Sequence, residues 1–221
     1  MQTSKQEPGC RTIRQSRWRF DLWSGEPKQS QQKCRLALYG NCYRFKDDEC
    51  LSMLLRKQTA LGGEWRVNVE FEPALVAEEA GTTVWWSKHC YASVGIRGLG
   101  DEENPEGSVR SKAVVFRFPD RSLPEEDVFQ EISIPWTATT LQVKIACHSL
   151  QYDFYIRQDA DKDWHQVGSM KAKVLTRTRV YDSFCTGTMI GIYALGSPNR
   201  PCLQPALFDG VVWKGVRGGG P

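Results

Sequence analysis

From Glu64 to Pro73 the chain alternates without a break: Trp65, Val67, Val69 and Phe71 fall on one side, Arg66, Asn68, Glu70 and Glu72 on the other. Side chains of an extended strand point to opposite faces in turn, so this segment reads as a strand with one buried and one wet face. Pro73 ends it, because proline brings no N–H to a ladder. Such a strand must lay its apolar side on a second layer, and similar segments recur along the chain. Arg35 to Tyr39 alternates up to the turn signal Gly40-Asn41, and Leu51 to Lys57 is an apolar run. Thr82 to Trp86 and Cys90 to Ile96 are parted by Ser87-Lys88-His89, and Trp85 and Trp86 must face opposite ways. Ala113 to Phe118, Met189 to Leu195 and Leu207 to Trp213 are further strands. Leu141, Val143 and Ile145 on one side of His148–Gln151, with Tyr152, Phe154 and Ile156 on the other, predict a hairpin.

Residues 98–111, Asp120 to Asp127 and Asp159 to Asp163 read as loops or turns. No long stretch carries a 3.6-residue period, and no internal repeat is visible. Short strands at a spacing of about 8–12 residues predict an all-β sandwich or jelly roll. The domain reading is a basic polar leader over residues 1–34, a sandwich over 35–216 and a frayed tail over 217–221.

Charge separates these parts. Residues 1–35 hold eight basic and three acidic side chains, a surplus of five, whereas the other 186 residues hold 21 and 23, a deficit of two. The near-neutral body offers no basic face for nucleic acid. No apolar run approaches the roughly 20 residues of a helical membrane span. Met1 to Gly9 is polar, so no secretory signal is visible; the expectation is a cytoplasmic chain by default, or a secreted one if it is a fragment of a longer protein. No Asn-x-Ser/Thr sequon occurs. The eight cysteines are too sparse for a disulfide scaffold, and reduced thiols are the default. Zinc is not expected: no Cys-x-x-Cys pair occurs, and His89-Cys90 and Cys147-His148 on strands would each offer one ligand to a common site.

Five segments in order resemble a known family. Leu36-Ala37-Leu38-Tyr39-Gly40-Asn41, followed by Leu54-Leu55-Arg56-Lys57-Gln58, is similar to the opening of the C-terminal concanavalin A-like domain of family 43 glycoside hydrolases, the β-xylosidases and arabinofuranosidases. Val69-Glu70-Phe71-Glu72-Pro73 precedes Glu78-Glu79-Ala80-Gly81-Thr82, as in that family's "FxP…EAG" stretch. Tyr152-Asp153-Phe154-Tyr155-Ile156 before Trp164 and Val167-Gly168, Thr186-Gly187-Thr188-Met189-Ile190-Gly191, and Ala206-Leu207-Phe208-Asp209 resemble its later segments. The resemblance covers about residues 35–214. It implies a concanavalin A-like β-sandwich (jelly roll) of two antiparallel sheets. In that family the chemistry resides on an N-terminal five-bladed propeller, which a 35-residue leader cannot contain. The implied role is a non-catalytic accessory domain, with the propeller or a xylo-oligosaccharide as partner and neither nucleic acid nor a membrane. Where the family usually has Phe before Thr-Gly, this chain has Cys185 with Phe184 one place earlier; the pair is the candidate for the domain interface or active-site rim.

Two other roles follow from residue type. Trp86, Tyr155 and Trp164 are candidates for stacking a sugar in a free-standing carbohydrate-binding module. Glu70 and Glu72, two apart on one face, have the spacing of a glycosidase pair. No Gly-x-Ser-x-Gly, P-loop or Gly-x-Gly-x-x-Gly motif occurs, and Gly95-Ile96-Arg97-Gly98-Leu99-Gly100 reads as a loop at a strand end. No catalytic residue, metal or cofactor is assigned beyond these; calcium at Asp209, on the last strand, is the one cofactor option. Deleting residues 1–30 is expected to leave the sandwich's cooperative thermal melt intact; a lost transition would assign Trp18, Phe20 and Trp23 to the core.

Overall fold

The computed structural model describes residues 35–100, 107–120, 128–159, 162–175, 187–198 and 200–216. The leader with Trp18, Phe20 and Trp23, and the tail from 217, lie outside the described residues. Twelve strands form two antiparallel sheets. The first has the order β1-β12-β3-β8-β9-β10, built from Leu36–Leu38, Ala206–Val216, Gly62–Glu70, Thr140–Cys147, Gln151–Arg157 and His165–Lys171. The second runs β2-β11-β4-β5-β6-β7, built from Ser52–Lys57, Met189–Leu195, Glu79–Ser87, Cys90–Leu99, Ser111–Pro119 and Phe129–Trp136. Apart from one 3-10 turn at Ala172–Val174, the described residues contain no helix, and none long and apolar enough to cross a membrane.

The alternation of β3 sets the core. Trp65, Val67 and Val69 are buried between the sheets, next to Leu141, Val143 and Ile145 of β8 and Phe154 and Ile156 of β9. Val84, Val94, Ile96, Val114, Phe116, Ile190 and Ile192 face them from the second sheet. The Phe116 ring meets Phe154 at 4.8 Å. It also rests on β10 at Gly168, where an added Cβ would lie 2.3 Å from the ring, so only glycine lets the sheets approach there.

The second sheet is covered on both faces. Its outer side carries a separate cluster of Phe45, Leu51, Tyr91, Tyr193 and Leu195, with Tyr43, Met53, Trp85 and Phe129 packed on it. The chain from 39 to 51 folds across this side as a strap. Trp85 packs into that cluster while Trp86 packs against the inter-sheet core, as their adjacency on one strand requires.

The expected strands are present, and so is the hairpin, closed by His148 N–H donating to Gln151 at 2.8 Å. Two strands were not anticipated. β7 pairs with β6 although Pro135 sits within it; at the sheet edge the missing N–H leaves no ladder bond unmade. β10 pairs with β9 through a bulge between Gln166 and Gly168, which breaks the alternation that would have announced it.

Cys90, Cys147 and Cys202 are buried thiols and Cys42 and Cys50 more accessible ones, none of them in a disulfide. Burial pushes the Cys147 thiol up to about 12, and burial with Glu78 nearby does the same for Cys202. The folded chain therefore holds these protons more tightly than the unfolded one, whose thiols ionise near 9. The stability they contribute is complete below pH 9 and is lost as pH rises from 9 towards 12. Urea unfolding should show a loss of about 1 kcal/mol per thiol between pH 8 and pH 10, and Cys147→Ala should flatten that slope. An unchanged slope would refute it.

Candidate functional site

Among the described charged residues, the side chain most completely withdrawn from water is Glu79, the first residue of β4, at 0% exposure. Arg97 lies directly opposite on β5, with Nε 2.7 Å from Oε2. Arg117 on β6 places Nη2 3.1 Å from the same oxygen, and the Tyr193 hydroxyl on β11 donates to Oε1 at 2.5 Å. Glu131 on β7 then bridges both guanidiniums, 2.8 Å from Arg97 and 2.5 Å from Arg117. Tyr193 reaches Glu79 because the next strands present Gly81 and Gly95 at its rung; a Cβ at Gly95 would stand 2.6 Å from the phenol oxygen.

Burial alone would depress the Arg117 guanidinium, but Glu79, the buried tyrosines and Glu131 outweigh it and hold it above its ordinary value. Burial, reinforced by Glu79, also raises Tyr193 well above its ordinary value, so it remains a neutral donor. The strap closes the cluster. Phe45 stacks on Tyr91 at 4.4 Å, meets Tyr193 edge-on at 4.7 Å and lies 5.7 Å from the Arg117 guanidinium. Arg44 donates to the Ala77 carbonyl at 2.8 Å, while its Nη2 is buried without a hydrogen-bond partner among the described residues. Arg44 is lowered, mainly by burial, with Arg117 adding to the effect and Glu79 opposing it. A carboxylate so enclosed has no approach for substrate; its chemistry is to fix strands. The sequence reading passed over these residues. Their signal was one arginine on each of two otherwise largely apolar strands, Arg97 in phase with Gly95 and Ser93 on β5 and Arg117 in phase with Val115 and Ala113 on β6.

The outer face of the other sheet is open. Across β3, β8 and β9 its successive rungs are Glu70–Thr140, Asn68–Gln142–Arg157 and Arg66–Lys144–Tyr155. Trp164 lies over the last of these, 4.3 Å from the Arg157 guanidinium, 4.8 Å from Lys144 and 5.9 Å from Arg66. Lys144 is also 4.3 Å from the Tyr155 ring. Lys144 is lowered, chiefly by burial, with Arg66 and Arg157 adding to the effect and Glu64 opposing it. Two of the three sugar-stacking candidates, Tyr155 and Trp164, are thus brought together around one lysine. Trp86 is on the other sheet and packs against the core.

Beside this cluster a depression of about 210 Å³ is lined by Arg35, Asn68, Glu70, Gln142, Gln158 and Asp209 among others. Arg35 binds Glu70 at 2.8 Å and approaches Asp209 at 3.7 Å, and Asn68 donates to Asp209 at 2.5 Å. Glu72 lies past the end of β3, pairs with Lys112 at 2.6 Å and lines a different depression with Pro73 and Trp136. The two glutamates therefore face separate hollows, each against its own cation, whereas a glycosidase pair flanks one bond. Phe184 and Cys185 lie outside the described residues. Cys90 and Cys147 are buried, and His148 is exposed and paired with Asp153 at 3.3 Å. Among the described residues no group of three or more His, Cys, Asp or Glu is arranged to hold a metal ion.

The sequence profile of the β-xylosidase C-terminal concanavalin A-like domain matches residues 23–214, beginning within the stretch assigned to the leader. Solved structures share the fold. The Bacteroides ovatus xyloglucan PUL protein GH43B gives a TM-score of 0.64 at 19% identity, covering 85% of this chain and 34% of that one. The xylan β-1,4-xylosidase of Bacillus halodurans C-125 gives 0.60 at 18% identity, covering 81% and 32%. A functionally unknown protein from Saccharomyces cerevisiae gives 0.57 at 12% identity, covering 92% of this chain and 98% of that one. The chain spans about a third of the two bacterial proteins and nearly all of the yeast one. No curated protein sequence matches.

Glu79→Gln removes the charge that the half-buried Arg97 and the buried Arg117 guanidiniums share. Chemical denaturation should show a loss of about 3–5 kcal/mol. A change under 1 kcal/mol would mean that Glu131 alone compensates both arginines.

Proposed function

The chain belongs to the β-xylosidase C-terminal concanavalin A-like domain family, and from that premise we propose that it serves as a non-catalytic accessory sandwich packing against a glycoside hydrolase catalytic propeller. The observation that carries this reading is the profile match over residues 23–214, set against bacterial hydrolases of which the sandwich is about a third. The separation of Glu70 from Glu72, each held by a cation, supports it.

The family resemblance suggests that in some members the residue before Thr-Gly lines the edge of the neighbouring active site. Here Thr186-Gly187 leads into β11, which starts between Lys57 and Trp85. That end of the second sheet is the contact region in this proposal. A second reading is a free-standing carbohydrate-binding module; the yeast protein, nearly all of whose chain matches this fold, supports its free-standing part alone.

The purified chain should release no product from aryl β-xylosides or arabinofuranosides. Co-expressed with a family 43 propeller cut before its own sandwich, it should elute with the propeller on size exclusion and raise its thermal midpoint. Separate elution with no shift would overturn the docking reading. Hydrolysis by the chain alone, lost in Glu70→Gln, would reinstate an enzyme.

A further inference from the structure

We propose that the end of the sandwich around Leu61 and Leu150 is the surface that meets the catalytic propeller, and that it fits a partner face with an apolar centre and carboxylates at its rim. This rests on the docking reading and deepens it, by naming the contact residues and the chemistry they select.

The first support is apolar exposure gathered in one place. Among the described residues the most exposed large hydrophobic side chains are Leu203, Leu150, Leu61 and Val216. The last three, at 79%, 76% and 66%, sit at one end of the first sheet. Register brings them together. Val216 on β12 is opposite Gly62 on β3, and Gly63 is opposite Cys147 on β8. Leu61, one residue before Gly62, therefore lies beside the hairpin turn that carries Leu150. A Cβ built on Gly62 would lie 3.8 Å from both the Val216 Cβ and the Cys147 carbonyl oxygen. The turn is held in place, since the Leu150 carbonyl accepts from the Ala172 N–H at 2.8 Å. A single exposed leucine needs no explanation, but a group of them on adjoining strand ends marks a contact surface.

The second support is what adjoins the group. Gln58 accepts from the Tyr152 hydroxyl at 2.8 Å, donates its backbone N–H to the Thr188 carbonyl at 2.9 Å and its side-chain amide to the Ala60 carbonyl at 2.8 Å. One residue thus ties the loop of Leu61 and the strand after Leu150 to the start of β11. The apolar group is continuous with the contact region of the docking reading. Charge selects the partner. The described segments that adjoin the group, 57–63, 147–151, 171–175, 187–189 and 213–216, carry Lys57, Lys171, Lys173 and Lys214 and no carboxylate. An apolar centre with a cationic rim is the anatomy of an interface whose partner brings apolar side chains to the middle and acids to the edge. The bacterial proteins, of which this sandwich spans about a third, have further chain to cover such a surface.

The test is calorimetric titration of the full chain into a family 43 propeller cut before its own sandwich. Leu61→Ser combined with Leu150→Ser should weaken association at least about tenfold. Both side chains are exposed, so the thermal midpoint of the chain alone should stay within about two degrees. Leu203→Ser, equally exposed but in the connection from β11 to β12 at the opposite end, should leave association unchanged. Lys57→Glu combined with Lys171→Glu should weaken it at least about threefold, and binding of the unaltered chain should fall as salt rises. Undiminished binding by the double leucine variant would overturn this inference and leave the docking reading standing. Equal weakening by Leu203→Ser would overturn it in the same way. Absence of binding by the unaltered chain would overturn both. A chain that dimerises by itself on size exclusion, and turns monomeric in the double leucine variant, would give the surface to a second copy and overturn the propeller as its occupant.

Discussion

The architecture of the second sheet turns on a single carboxylate taken fully out of water. An isolated buried Glu79 would be untenable; two guanidiniums and a phenol hydroxyl replace its hydration. These partners come from β5, β6 and β11, and Glu131 adds β7, so the cluster ties together five of the six strands. A one-residue slip of β4 would turn Glu79 into the inter-sheet core, where Ala80 now packs at 0% exposure. The network thus specifies register far more sharply than the apolar face does, since valine, isoleucine and alanine are interchangeable at a small cost and a stranded carboxylate is not.

The network also explains the strap. A polar cluster on an outer sheet face would ordinarily stay hydrated, but here Phe45 covers it and stacks into Tyr91, Tyr193 and Trp85. Desolvation strengthens the ion pairs it encloses. The outcome is a sandwich with unequal outer faces: one closed by the strap, the other open with a row of amides and cations.

Strand content was legible because period-2 alternation is a one-dimensional consequence of a two-sided environment. Trp65–Phe71 and Leu141–Ile145 announced both their conformation and their buried side. β7 and β10 escaped because Pro135 and the bulge at Gly168 are local departures that a sheet edge tolerates and a periodic reading does not. The site was less legible. Glu79, Arg97, Arg117 and Glu131 are scattered over 53 positions, and only antiparallel register brings them together. Tyr155 and Trp164 were chosen by type, yet their rings are lined by Lys144 and Arg157, which a linear reading had no means of pairing with them.

The unequal faces bear on how a partner can approach. Edge-on strand addition is guarded: β7 carries Pro135, and of the two edges of the other sheet β1 has three residues and β10 is broken by the bulge between Gln166 and Gly168. β2, the remaining edge of the second sheet, ends in Arg56 and Lys57, with Arg56 lying 5.5 Å from the Trp213 ring. A partner excluded from the edges and from the strapped face has the open face and the strand ends left to it. If the open face is occupied by ligand, a domain partner is directed to the ends. At one of these, β11 begins beside Trp85, and Tyr152 is hydrogen-bonded to Gln58 at 2.8 Å across the two sheets. A partner at that end would leave the open face uncovered, because the two surfaces use different residues.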